Sequence, residues 1–271
     1  MEHLYSAWPA VKRRLRTARA VMLLSDYDGT LTPIVERPEL AELPWYTRRI
    51  LEGLVRQTRF TVGIISGRAL SDLKARLNIG GIIYAGNHGM EIEGPGVSFV
   101  NPIAQELRPI LRVLHRVLDR TVGGIKGVLV EDKGLSLSVH YRLVEEHRAG
   151  DVKHAFERAV GTAEALGKVR ITGGKKVYEV RPAANWDKGK AIDMLMRKYF
   201  PSGGGSEGVP FYFGDDITDE DGFRAIENAG GISVLVGQPE RDSAARYFVT
   251  SPARVATFLS LLLDSAKRGF K

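Results

Sequence analysis

Short apolar runs alternate with amphipathic stretches along the first hundred positions. "VMLLSDYD" (21–28), "FTVGIISG" (60–67) and "GIIYAGNHG" (81–89) read as strands. "LPWYTRRILEGLVRQ" (43–57) and "ALSDLKARLN" (69–78) place apolar residues at helical spacing. Strands alternating with helices predict βαβ units and a parallel sheet. Right-handed crossovers then put all the strand C-termini at one edge, where such sheets bind ligands.

The pattern changes near Asn101. Residues 103–121 have helical spacing, with Pro109 as a kink or a first-turn residue. Residues 127–142 contain two strand-like runs around Lys133 and Gly134, which predicts a hairpin. Residues 145–166 are helical, and residues 168–182 form a second hairpin predicted to turn at Gly173-Gly174. Two helices and two hairpins make a small α/β sandwich over residues 105–181.

The parallel pattern then resumes. Helix (187–200), strand (209–216), helix (219–230), strand (231–237) and helix (251–268) follow, with a loop "PSGGGSEG" (201–208) after the first helix. The expected organisation is a discontinuous core of residues 1–104 and 182–271, interrupted by an inserted domain at 105–181. The default place for a ligand is between the two.

Composition narrows the function. At 271 residues the chain suits one large domain or two modest ones, and 44% hydrophobic content argues against disorder. Cysteine is absent, which excludes disulfides, thiolate catalysis and cysteine-ligated zinc, and fits a cytoplasmic location. No apolar run is long enough to span a membrane, and the N-terminus has no apolar core of signal-peptide type. The net charge of +7 fits either nucleic acid or small anionic substrates. Its densest cluster, "KRRLRTAR" (12–19), reads as a solvated helix face, so neither a nucleic-acid nor a membrane partner is expected.

The strand ends carry the chemistry. The first gives Asp26 and Asp28, the second Ser66 and Arg68, and the last Asp215, Asp216 and Asp219; Lys188 opens a helix. Two carboxylates this close repel unless a cation or a proton intervenes. Oxygen-only ligation suits Mg²⁺, which would relieve repulsion between Asp26 and Asp215. An aspartate can attack phosphorus, and Ser66 and Lys188 can neutralise phosphoryl oxygens. Lys190 is the one rival for the phosphate lysine. Each motif alone could be a capped turn or a solvated acidic loop; their order along the chain predicts one shared site.

"DYDGTLTP", "IISGR", "AGNHG" and "GDDITDED" together resemble the trehalose-6-phosphate phosphatase family of the haloacid dehalogenase superfamily, from about residue 21 to residue 263. The resemblance implies an α/β fold: a Rossmann-like parallel-sheet core of haloacid dehalogenase type with an inserted α/β cap. It implies Mg²⁺-dependent hydrolysis of trehalose 6-phosphate through an aspartyl-phosphate. Asp26 would be the nucleophile and Asp28 the acid and base. Mg²⁺ would sit on Asp26, Asp215 and the backbone carbonyl of Asp28. Ser66 and Lys188 would hold the phosphoryl group. Gly29 would leave room for that group and Thr30 would hydrogen-bond the loop, with Asp216 and Asp219 in support. Asp28 argues against dehalogenation, since a halide leaving group needs no proton.

Sugar recognition would fall to Glu131, Lys133 and Glu179 from the cap, and to Arg68, Asn87 and His88 from the core. The alternative for Glu131 and Lys133 is a pair of hairpin-tip charges, and His140 could be a packed core histidine. Other glycosidic phosphates, such as glucosyl- or mannosyl-glycerate phosphate, remain open as substrates. So does a nucleic-acid-binding protein on the same scaffold. The expected partner is a small sugar phosphate and the expected state a monomer.

Overall fold

The computed structural model describes residues 1–174, 176–200, 208–240 and 242–270. The loop expected at 201–208 lies outside them up to its last residue, Gly208, which opens a strand. The chain divides into two compact units, Met1–Ser98 with Trp186–Lys271, and Phe99–Asn185. The seams expected after residues 104 and 181 would have cut a helix and a strand. The observed division keeps that helix whole and leaves the strand with its sheet, while its own first seam falls inside a short edge strand, Val97–Val100.

The first unit is built on one sheet. In chain order its strands are β1 (Glu2–His3), β2 (Ala20–Ser25), β3 (Phe60–Ile65), β4 (Ile83–Gly86), β5 (Glu91–Gly94) and β6 (Val97–Val100). The order across the sheet is β1-β13-β12-β11-β2-β3-β4-β5-β6, with β11 (Gly208–Gly214), β12 (Ile232–Val236) and β13 (Tyr247–Val249) supplied after the insertion. All pairs from β1 to β4 are parallel, and β5 runs antiparallel to β4. The central strands are near-continuous apolar runs because both faces are covered. Val21 and Leu23 point into a core shared with α1 (Trp8–Thr17), α2 (Trp45–Val55), α3 (Leu70–Leu77) and α8 (Pro252–Lys267). On the other face Met22 and Leu24 are buried, and Tyr212 meets Phe223 of α7 (Glu220–Asn228), which packs beside α6 (Lys188–Tyr199). The strands that the pattern did not predict, β1, β5, β6 and β13, are short; β5 and β6 are also half-exposed and polar at alternate positions.

The chain leaves β2 toward β3 on one side and returns as β11 on the other. Such a reversal opens a crevice beyond the strand C-termini. Register sharpens it: Ser25 pairs with Phe213, so Asp26 lies one residue, and Asp215 two, beyond the last pair of adjacent strands.

The second unit has a four-stranded antiparallel sheet in the order β7 (Leu129–Asp132), β8 (Leu137–His140), β10 (Val177–Pro182), β9 (Val169–Gly174). Leu137, Val139, Val169 and Val180 pack on α4 (Pro102–Thr121) and α5 (Ala149–Ala165). Asn101 caps α4 through the Ala104 N–H (3.1 Å), and the helix runs on through Pro109. The second hairpin does not turn at its glycines. Gly173 pairs with Tyr178 and Gly174 with Val177, and the left-handed residue in the turn is Lys176 (φ 63°). Without side chains to pack, the glycines extend the strands instead of bending them.

Among the described residues no helix is long and apolar enough to cross a membrane.

Candidate active site

Asp26 is buried where β2 ends, its N–H donating to the Phe213 carbonyl (2.8 Å). Lys188, the first residue of α6, donates from Nζ to Asp26 Oδ1 (2.8 Å) and to Asp219 Oδ1 (2.6 Å). Lys188 is 3% exposed, whereas the Lys190 side chain is 38% exposed beside Asp187. Of the two lysines, Lys188 is the one that meets Asp26.

Asp219 is fully buried and its lone pairs are all taken. Oδ1 accepts from Lys188 and from the Tyr212 hydroxyl (2.5 Å); Oδ2 accepts the N–H groups of Asp215 and Asp216 (3.0 Å each). A carboxylate has about four such sites. Asp216 caps the turn reciprocally and donates nothing further to the cluster: its carboxylate accepts the Ile217 N–H (2.7 Å). Tyr212 was not singled out from sequence. Its signal is a hydroxyl in an otherwise apolar strand, and Gly222 makes room for its ring, since a Cβ there would lie 2.5 Å from it.

Carboxylate oxygens of Asp26, Asp215 and Asp219 lie within 4.8 Å of one another. Gly29 has φ +82°, and a Cβ there would fall 2.2 Å from Asp215 Oδ2. The glycine therefore makes room for the Asp215 carboxylate, where the sequence suggested a phosphoryl group. The Thr30 hydroxyl also reaches Asp215, donating to Oδ1 (3.3 Å).

The electrostatics follow from burial. Desolvation pushes the Asp26 carboxyl well above its ordinary range; Lys188 opposes this, while Asp219 and Asp215 reinforce it. For Asp219 burial also acts upward, but Lys188 and the hydroxyl and amide donors win, so its pKa is lowered. Burial disfavours the Lys188 ammonium, yet Asp219 and Asp26 raise its pKa overall. Lys188 thus bridges Asp26 and Asp219, with the Asp215 carboxylate beside them.

Asp28 lies apart from that cluster. Arg68 grips it at both oxygens, Nε to Oδ2 and Nη2 to Oδ1, each at 2.7 Å. Arg68 also donates to Asp72 (2.7 Å) and the Pro38 carbonyl (2.7 Å), and lies over the Tyr27 ring. The sequence pointed Arg68 at a sugar; here it holds Asp28. Asp72 was missed, though it stands four residues after Arg68, in the first turn of α3.

Ser66 and the "GNHG" turn are stitched together. The Ser66 N–H donates to Ala85, its carbonyl accepts the His88 N–H (2.8 Å each), and its hydroxyl accepts the Arg68 N–H (3.2 Å). Asn87, His88 and Gly89 have φ of 48°, 57° and 84°. Left-handed backbone costs a non-glycine residue about 1–2 kcal/mol. Part of the compensation is visible: Asn87 Nδ2 donates to Glu91 Oε1 (2.7 Å), which also accepts the Leu70 N–H (3.0 Å). Asn87 is fully buried in this role, whereas a sugar contact was expected. His88 is buried with its ring against Gly67, where a Cβ would come within 2.7 Å.

The second unit gathers its polar groups on one sheet face. Glu131, Ser138, Glu179 and Thr172 are paired in one row across β7, β8, β10 and β9. His140 Nε2 lies 2.9 Å from Glu131 Oε2 on this face, so it is a partner of Glu131 and not packed into the apolar core. Lys133 Nζ approaches Glu179 Oε1 at 3.4 Å, and Arg181 donates to Glu179 Oε2. With side chains about nine-tenths buried, Lys133 and Glu179 are not solvated hairpin-tip charges.

A sequence profile described as trehalose-phosphatase matches residues 24–253. The chain belongs to the trehalose-phosphatase family. It is 33% identical to "probable trehalose-phosphate phosphatase D" of Arabidopsis thaliana, over 97% of this chain and 75% of that one. It is 38% identical to a trehalose-phosphate phosphatase of Mycobacterium bovis, over 90% of this chain and 62% of that one, so it spans less than two thirds of that relative. The C-terminal domain of Candida albicans trehalose-6-phosphate phosphatase superposes with TM-score 0.81 at 24% identity, covering 94% of this chain and 96% of that one. A haloacid dehalogenase-like hydrolase from Bacteroides thetaiotaomicron shares the fold at TM-score 0.60 and 16% identity, over 90% of this chain and 99% of that one. The α/β fold is therefore of haloacid dehalogenase type, and the family is one of phosphatases.

Proposed function

We propose that this chain hydrolyses trehalose 6-phosphate to trehalose and phosphate, through an aspartyl-phosphate on Asp26 and with Mg²⁺ as cofactor. The observation that carries the reading is Asp26 and Asp215 at the ends of adjacent parallel strands with Lys188 of α6 on Asp26, in a chain of the trehalose-phosphatase family.

The donor set fits a hard divalent cation. It is oxygen-only, and its carboxylates repel one another: Asp219 and Asp215 both push the Asp26 pKa up. Asp219 has no lone pair left, so Asp26 and Asp215 are the side chains that would hold the ion. Bound there, Mg²⁺ would neutralise phosphoryl oxygens and favour the ionised form of Asp26.

The residues do the rest. The Asp26 carboxylate attacks phosphorus, and the bond from phosphorus to the sugar oxygen breaks. Asp28 gives a proton to that oxygen. It then takes a proton from water, whose oxygen attacks the aspartyl-phosphate and frees Asp26 and phosphate. Arg68 grips both oxygens of Asp28 and so fixes the plane of that carboxyl. Lys188 and Ser66 balance phosphoryl charge. Glu131, Lys133 and Glu179 read the sugar hydroxyls.

The test is phosphate release from a panel of sugar phosphates with Mg²⁺. Trehalose 6-phosphate should give the highest kcat/KM. A higher value on a glucosyl- or mannosyl-glycerate phosphate would move the substrate and keep the chemistry. Turnover of none would overturn the reading.

A further inference from the structure

The Asp28 side chain is 40% exposed, and among the described residues only Arg68 donates to its carboxylate oxygens. Arg68 takes one acceptor site on each oxygen. A carboxylate has about four such sites, so each oxygen keeps one for a proton. The direction in which Asp28 can deliver that proton follows from the plane of the Arg68 guanidinium.

That plane is set by groups with no part in the reaction as drawn above. The Arg68 side chain is 7% exposed and lies over the Tyr27 ring, with Nη2 on the Pro38 carbonyl and Nη1 on Asp72 Oδ2 (2.7 Å each). Asp72 is held in its turn. Arg76, one turn further along α3, donates from Nε to both Asp72 oxygens (2.9 and 2.8 Å) and from Nη1 to the Glu39 and Ala41 carbonyls (3.1 and 3.2 Å). Burial pushes the Asp72 carboxyl up, but the Arg76 and Arg68 donors win and its pKa is lowered. Asp72 is therefore a fixed, ionised acceptor between two guanidinium groups. It makes no hydrogen bond or ion pair with the Asp26–Lys188 cluster. A helix-surface pair of Asp72 and Arg76 would stabilise the fold only slightly. The contact with Arg68 is what links that pair to Asp28.

We infer that Asp72 is a positioning residue for proton transfer: it holds Arg68 Nη1 so that the Nε–Nη2 edge of the same guanidinium fixes the Asp28 carboxyl toward the departing oxygen. The inference rests on the phosphatase reading above, in which Asp28 is the acid, and adds the residue that aims it.

A proton matters most to a poor leaving group. The experiment therefore uses two esters that carry no sugar, phenyl phosphate and p-nitrophenyl phosphate. Nitrophenolate departs readily without a proton and phenolate does not. Only steps up to that departure enter kcat/KM, so the later role of Asp28 as base is not read. Asp28→Asn is measured first and should lower kcat/KM on phenyl phosphate about ten-fold or more beyond its effect on p-nitrophenyl phosphate. Asp72→Asn should lower phenyl phosphate about ten-fold and p-nitrophenyl phosphate less than about two-fold. Asp72→Glu, which keeps the charge, should recover part of the loss. In the Asp28→Asn background, Asp72→Asn should cost phenyl phosphate less than about two-fold more, because its route to the reaction is gone. Equal loss on both esters, no loss on either, or an undiminished effect in the Asp28→Asn background would overturn the inference. If Asp72→Asn fails to fold, Asp72→Glu decides: a loss of about three-fold or more confined to phenyl phosphate supports positioning, and any other result refutes it. If Asp28→Asn itself shows no dependence on the leaving group, the reading of Asp28 as the acid has failed, and this inference fails with it. If Asp28→Asn shows that dependence and Asp72→Asn does not, only the inference has failed.

Discussion

Each unit of the molecule holds a buried cation against carboxylates, and the two arrangements differ in how the charges are laid out. In the first unit Lys188 bridges Asp26 and Asp219, with the Asp215 carboxylate close by. In the second unit Lys133 and Arg181 meet Glu179, and Glu131 pairs with His140. One gathers carboxylates into a cluster, and the other sets cations and carboxylates side by side along a sheet face. A cluster of hard oxygens suits a cation and a reaction that moves charge. A face of mixed charge suits a neutral polyol, whose hydroxyls can pair with carboxylates and ammonium alike.

The comparison breaks first at Asp26. Asp26→Asn should lower kcat by about 1,000-fold or more, because it removes the attacking group. Asp219 and Asp215 both push the Asp26 pKa up, so the same change relieves repulsion and the thermal midpoint should hold or rise. A variant that keeps near-normal turnover would remove Asp26 from the chemistry. One that unfolds would refute that account of the repulsion.

Removing the cation comes next. Chelation with EDTA should cut turnover by roughly 100-fold or more, Mg²⁺ should restore it, and Zn²⁺ should restore it poorly at a site without thiolate or imidazole. Full activity after exhaustive chelation would show that Lys188 alone is countercharge enough.

Lys188→Met tests the countercharge directly. Breaking a buried pair by removing one partner costs about 3–5 kcal/mol, and here two carboxylates lose their partner. Stability should recover as pH falls, since protonating Asp26 or Asp219 removes the unpaired charge. The group that gains a proton in the variant has a raised folded-state pKa, so its penalty is present above that pKa and lost below it. Urea unfolding across pH reads this; a pH-independent loss would point to packing alone.

The smallest expected effect lies on the polar face. Glu131→Ala and Lys133→Ala should each lower kcat/KM for trehalose 6-phosphate about ten-fold, and p-nitrophenyl phosphate far less. Equal loss on both substrates would assign these residues to folding of the inserted unit.

Asp26, Ser66 and Asp215 were legible in the sequence because each sits at the end of an apolar strand, and the sheet's topology carries all such ends to one edge. Lys188 was legible as the lysine that opens α6. The polar face was legible only in part. Strand alternation marked Glu131, Lys133 and Glu179, but not their pairing with His140 and Arg181. Whether two strands meet, and in which register, is a long-range matter that neither strand encodes alone.

The sequence by itself determined the class of fold, the acids and the lysine of the site, and the absence of thiolate chemistry. These depend on residue type and on apolar periodicity, both local properties. The tertiary structure alone decided what each polar group touches. It placed the Asp215 carboxylate in the space Gly29 leaves, gave Arg68 to Asp28 and Asn87 to Glu91, and filled every lone pair of Asp219. The physical reason is that a buried charge must find a partner, and the partner is whichever group the packed chain brings within reach, often far away in sequence.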